Sequence, residues 1–68
     1  MITYYKLLDM LNRRGISKLE LMEKASISRG TLAKLSKNES VSISTIDSIC
    51  TVLECQPGEI MEWVKNKF

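Results

Sequence analysis

The stretch Ser17-Lys18-Leu19-Glu20-Leu21-Met22-Glu23-Lys24-Ala25-Ser26-Ile27-Ser28-Arg29-Gly30-Thr31-Leu32-Ala33-Lys34-Leu35-Ser36-Lys37 decides the fold. It opens with Ser17 and Glu20 in capping-box spacing, so that each side chain can satisfy an orphan backbone N–H near the helix start. Leu19, Leu21, Met22 and Ala25 supply the apolar content of a helix that ends near Ala25. Ser26-Ile27 is then a very short connection, and Ser28 is placed to cap a further helix through Ser36. Leu32 and Leu35, three apart, form the inward pair of that helix. A connection this short forces the two helices to cross at a large angle, and the second then projects from the domain. Such a helix fits a major groove about 12 Å wide, with its first turn toward the base edges.

The flanking sequence extends the same pattern. Tyr4, Leu7, Leu8 and Leu11 make a first amphipathic stripe, closed by Arg13, Arg14 and Gly15. Cations suit the negative end of a helix dipole, and glycine suits the residue just beyond it. Asn38, in the turn Lys37-Asn38-Glu39-Ser40, can adopt the left-handed conformation that ends a helix. Ser42 is the expected cap of a fourth helix, with Ile43, Ile46, Ile49, Cys50 and Leu53 on one stripe. Pro57 starts an expected fifth helix, with Ile60, Met61, Trp63 and Val64 on its apolar side. No strand is expected. The fold class is all-α: one domain spanning residues 1–68, a compact five-helix bundle with its helix-turn-helix at 17–37.

Charge is distributed unevenly. Residues 13–37 carry Arg13, Arg14, Lys18, Lys24, Arg29, Lys34 and Lys37 against Glu20 and Glu23, a net +5. Residues 38–64 carry five acids and no base, a net −5. A small domain polarised in this way has the electrostatic footprint of a phosphate-binding protein. The other reading is an ordinary solvated surface. A hydrophobic content of 44% with 26% charged residues is a globular balance and argues against disorder. No apolar run is of membrane-spanning length and no signal-peptide layout opens the chain, so the expected location is the cytoplasm. The chain has no histidine. It also shows no nucleophile with an evident base, no glycine-rich phosphate loop and no paired carboxylates, so neither catalysis nor a cofactor, metal or small-molecule ligand is expected. Cys50 and Cys55, five apart, read as small apolar thiols without a redox role, at a spacing that suits a disulfide poorly.

Beyond these physical signals, the sequence resembles the Cro/C1-type helix-turn-helix family. The resemblance rests on Ser17 to Met22, on Ile27 to Leu35, on Ser42 to Ile46 with Ile49 to Leu53, and on Pro57 to Ile60, and it covers the chain from about Leu7 to Trp63. Three positions depart from the family's habit. Lys18 stands where a glutamine is common, Met22 where a small residue packs, and Ser26 where the turn usually has glycine. A left-handed Ser26 would be mildly strained.

The resemblance implies double-stranded DNA as the partner and a role in transcription regulation. It places Arg29, Gly30 and Lys34 toward bases and Thr31 near the sugar-phosphate edge. Physically, Arg29 can fork onto guanine O6 and N7. Ser17 and Ser28 offer neutral donors to phosphates, and Lys18 and Lys37 offer charge. Gly30 either permits close approach of the helix or is a tolerated poor helix former, and Lys24 either meets phosphate or is solvated. A homodimer through the C-terminal helix would use Trp63 and Phe68, although Trp63 could instead pack into its own core. A protein-interaction module presenting the acidic half is the alternative to DNA binding.

Overall fold

The computed structural model describes residues 1–65. Four α-helices carry the fold: α1 (Tyr5–Arg14), α2 (Lys18–Ala25), α3 (Arg29–Ser36) and α4 (Ile43–Leu53). Three of them start at a serine whose hydroxyl accepts the N–H three residues on. The pairs are Ser17 with Glu20 at 3.1 Å, Ser28 with Thr31 at 3.1 Å and Ser42 with Thr45 at 3.2 Å. At α2 the Glu20 carboxylate also accepts the Ser17 N–H at 3.3 Å, which completes the expected capping box.

All four helices also end alike. A residue in the left-handed region follows each: Gly15 (φ 66°), Ser26 (φ 54°), Asn38 (φ 58°) and Glu54 (φ 51°). The next N–H then folds back onto a carbonyl five residues earlier: Ile16 to Leu11 at 2.9 Å, Ile27 to Met22 at 3.1 Å, Glu39 to Lys34 at 2.8 Å and Cys55 to Cys50 at 3.1 Å. This closure satisfies orphan carbonyls and brings the side chains of the two bonded residues together. Only the first of the four uses glycine; the others bear a left-handed backbone that costs an L-residue about 1–2 kcal/mol. The strain expected at Ser26 is therefore present.

The core joins all four helices. Tyr4, Leu7, Met10 and Leu11 meet Leu21, Ala25, Leu35, Ile46, Ile49, Leu53 and Ile60, with α4 packed chiefly against α2. Met10 adds to the stripe expected for α1, whereas Leu8 is only half-buried. Two polar ties cross the core's edge. The Arg14 guanidinium donates to the Leu53 carbonyl at 2.7 Å, and the Tyr4 N–H donates to Asn38 Oδ1 at 2.9 Å.

The expected fifth helix is not a helix. Pro57–Glu59 forms a single 3-10 turn, after which the chain extends into β2 (Glu62–Trp63). This strand pairs antiparallel with β1 (Ile2–Thr3), Ile2 opposite Trp63 and Thr3 opposite Glu62. Backbone partners flank the pair: the Met1 ammonium donates to the Val64 carbonyl at 2.6 Å, and the Val64 N–H donates to the Met1 carbonyl at 2.8 Å. The apolar spacing of Ile60, Met61, Trp63 and Val64 fits a helix, but the extended N-terminus offers hydrogen-bond partners that a short isolated helix lacks. Among the described residues the bundle thus has four α-helices and a two-stranded sheet.

Trp63 stands 69% exposed on that sheet, outside the core, beside the 42%-exposed Ile2 opposite it. Phe68 lies outside the described residues. Cys50 and Cys55, expected as small apolar thiols, are both free and only half-buried. Among the described residues no helix is long and apolar enough to cross a membrane.

Candidate nucleic-acid interface

Helix α3 is held to the domain from one side. Leu35 is its one residue with no exposed surface, and Leu32, its expected inward partner, is only half-buried. Arg29, Gly30, Ala33, Lys34 and Lys37 are all exposed, at positions that recur along one face of a 3.6-residue period. Arg29 immediately follows the Ser28 cap and so lies in the first turn. Lys37 forms the C-terminal cap, its N–H shared between the Ala33 and Lys34 carbonyls at 3.1 Å each.

The electrostatics of this face follow from what is missing beside it. Among the described residues the ion pairs are Lys6 with Glu62 at 3.6 Å and Arg13 with Asp9 at 2.9 Å. Neither involves Lys18, Lys24, Arg29, Lys34 or Lys37. These cations stand in water without a carboxylate partner, a state that favours an incoming polyanion over an internal pair.

Hydroxyl groups border the cations. Thr31 is half-buried, and its Oγ1 lies 3.0 Å from Ser28 Oγ, so both hydroxyls are drawn into the cap. Thr31 and Lys34 also border a shallow hollow of about 350 Å³, whose far wall is Ser40, Val41 and Ser42 from the α3–α4 connection and Thr45 from the first turn of α4. Ser17 and Lys18 occupy the start of α2, both exposed. Ser40, Ser42, Thr45 and Ala33 are not among the site residues expected from sequence. Two signals were available. The spacing Ser42–Thr45 repeats Ser28–Thr31, and Ala33 lies one turn beyond Arg29. An exposed alanine there is a small apolar surface of the kind that meets a thymine methyl.

Gly30 is exposed and helical. A Cβ added to it would approach only Ser28 Oγ, at an ordinary 3.7 Å. Its backbone is not left-handed. The fold therefore has no use for glycine at this position, where alanine is the better helix former.

A capped helix pinned by one buried leucine, crossing a second capped helix after the three residues Ser26, Ile27 and Ser28 and showing a cationic face unpaired among the described residues, defines a helix-turn-helix DNA-binding domain. The chain belongs to the Cro/C1-type helix-turn-helix DNA-binding domain family, whose model matches residues 6–66. It is 41% identical over 56 residues to the uncharacterized HTH-type transcriptional regulator YozG of Bacillus subtilis (strain 168), covering 79% of this chain and 67% of that protein. The fold matches the crystal structure (form II) of the transcriptional regulator VanUg with a TM-score of 0.86 at 43% identity, covering 90% of this chain and 81% of that one.

Gly30→Ala separates the two readings of that glycine. The variant is expected to gain about 0.5–1 kcal/mol of stability, because alanine restores helix propensity without a clash. It is also expected to bind DNA more weakly, because a methyl group would then stand between helix and groove. Thermal melts paired with fluorescence titration of labelled duplex measure both. A variant that melts higher and binds equally well would assign Gly30 to mere tolerance.

Proposed function

We propose that this protein is a sequence-specific transcriptional regulator that acts on double-stranded DNA in the cytoplasm, as a homodimer and without catalysis, laying α3 in the major groove. The observation that carries the reading is the exposed face of α3, where Arg29, Lys34 and Lys37 have no carboxylate partner among the described residues. In this reading Arg29 and Lys34 read base edges and Gly30 admits close approach. Lys18, Lys37, Thr31 and the hydroxyls of Ser17 and Ser28 hold the sugar-phosphate backbone.

Dimerisation is argued from surface chemistry. Trp63 and Ile2, neighbours across the sheet, are exposed, and Ile43 at the start of α4 is 76% exposed. Large apolar side chains on so small a domain favour a second copy, and one short motif alone buries little surface for tight specific binding. The contact face in this proposal is the β1–β2 sheet, in place of the C-terminal helix expected from sequence.

Selection of bound sites from random duplex DNA tests the whole reading. The expected outcome is a near-palindrome whose half-sites are about 34 Å apart, one turn of DNA. A single unrepeated half-site, with monomer in sedimentation at high concentration, would remove the dimer. Absence of any enriched motif would leave the acidic half, binding protein, as the better reading.

A further inference from the structure

The closure that ends α4 differs from the others in what it brings together. At α1 and α2 the paired residues are aliphatic, Leu11 with Ile16 and Met22 with Ile27; at α4 they are Cys50 and Cys55. We propose that Cys50 and Cys55 are a reactive dithiol site that closes to an intramolecular disulfide by exchange with a low-molecular-weight disulfide such as oxidised glutathione.

The geometry carries this in three steps. Glu54 takes a left-handed backbone (φ 51°, ψ 57°) and turns the chain back over the helix end. The Cys55 N–H then reaches the Cys50 carbonyl at 3.1 Å, which packs the two side chains on each other. A disulfide needs just such a return, with Cα atoms about 4.4–6.8 Å apart. The spacing of five, unsuited to a disulfide along a straight helix, thus becomes suitable once a left-handed residue intervenes.

Access is the third step. Both cysteines are half-buried and border one open hollow of about 530 Å³ between α4 and the 3-10 turn, with Asp47, Gln56, Pro57 and Met61 also on its walls. A small disulfide can therefore meet a sulfur without unfolding.

Burial foremost, and then the charge and hydrogen bond of the adjacent Cys50, push the Cys55 thiol above its ordinary value; Glu59 adds to this and Arg14 opposes it. Asp47 is the charged residue on the hollow wall, and Glu54 adjoins Cys55 in the chain. Entry is placed at Cys50, because Cys55 is the thiol whose ionisation burial opposes. The Cys50 thiolate attacks one sulfur of the oxidised glutathione, forming a mixed disulfide and expelling a glutathione thiolate, which takes up a proton. Cys55 then loses its proton to water, attacks the Cys50 sulfur and expels the second glutathione. The net change is one dithiol and one small disulfide to one protein disulfide and two small thiols. Closure accelerates as pH rises, because the resolving thiol must ionise first.

The test incubates the reduced full chain with oxidised and reduced glutathione at fixed ratios, quenches with acid and reads intact mass. The folded protein is expected to lose two hydrogen atoms, retain no glutathione and remain a single chain. It should close at a ratio about tenfold lower than the same chain in guanidinium, where the turn is lost. Cys50→Ser and Cys55→Ser are each expected to hold one glutathione without closing. Two retained glutathiones on the folded wild type, chains linked in pairs, or closure no easier folded than unfolded would each overturn the proposal.

Discussion

Leu35→Ala is expected to cost about 2–5 kcal/mol, the range for truncating a fully enclosed leucine. Leu35 has no exposed surface and is the one fully enclosed residue of α3. A 68-residue domain at about 0.05–0.15 kcal/mol per residue holds only about 3–10 kcal/mol in total. The loss is thus a large share of the whole stability. It corresponds to a fall in melting temperature of about 10 °C or more, since each kcal/mol shifts a domain of this size by about 4–8 °C. Urea titration should show an earlier midpoint with the slope unchanged. Leu19, 56% exposed on α2, is the control, and its alanine variant should lie within about 0.5 kcal/mol of wild type. If the two variants melted alike, α3 would not be anchored through Leu35.

That anchoring shows what the sequence made legible. Ser17–Glu20, Ser28–Thr31 and Ser42–Thr45 are contacts between residues three apart, so the helix starts followed from local chemistry alone. The left-handed Gly15 and Asn38 were readable for the same reason, because few residues accept that backbone cheaply. Glu54 was not, since glutamate carries no such signal, and with it went the meeting of Cys50 and Cys55. The sheet was hidden for a different reason. Its strands are two residues long, and the Met1–Val64 bonds that flank them join residues 63 apart. Periodicity over Ile60, Met61, Trp63 and Val64 could not sense a partner at the other end of the chain. The candidate site lies between these cases. Arg29, Gly30, Lys34 and Lys37 do share an exposed face of α3, as helical spacing requires. The hydroxyl wall from α4 depends on tertiary packing that no local pattern encodes.

Arg29→Ala and Lys37→Ala are expected to divide reading from holding on that face. Arg29 lies one residue beyond the Ser28 cap, where side chains of a groove-bound helix reach base edges. Its removal should cost about 1–3 kcal/mol on the preferred site, a loss of roughly 5- to 150-fold, and relax specificity at one base position. Non-specific binding should fall only slightly. Lys37 is the cap at the far end of α3, beyond the first turn that the proposal sets against the bases. Its removal should weaken all sequences about equally and reduce the salt slope by about one phosphate contact. Both side chains are exposed and neither enters an ion pair among the described residues, so both variants should melt like the wild type. Titrations of a selected site and an unrelated duplex at two salt concentrations measure every one of these quantities. Should Arg29→Ala weaken all sequences alike while Lys37→Ala altered the preferred motif, α3 would enter the groove in the opposite sense. Were neither variant to change DNA binding, the cationic face would serve a different partner, because no carboxylate among the described residues pairs with those charges.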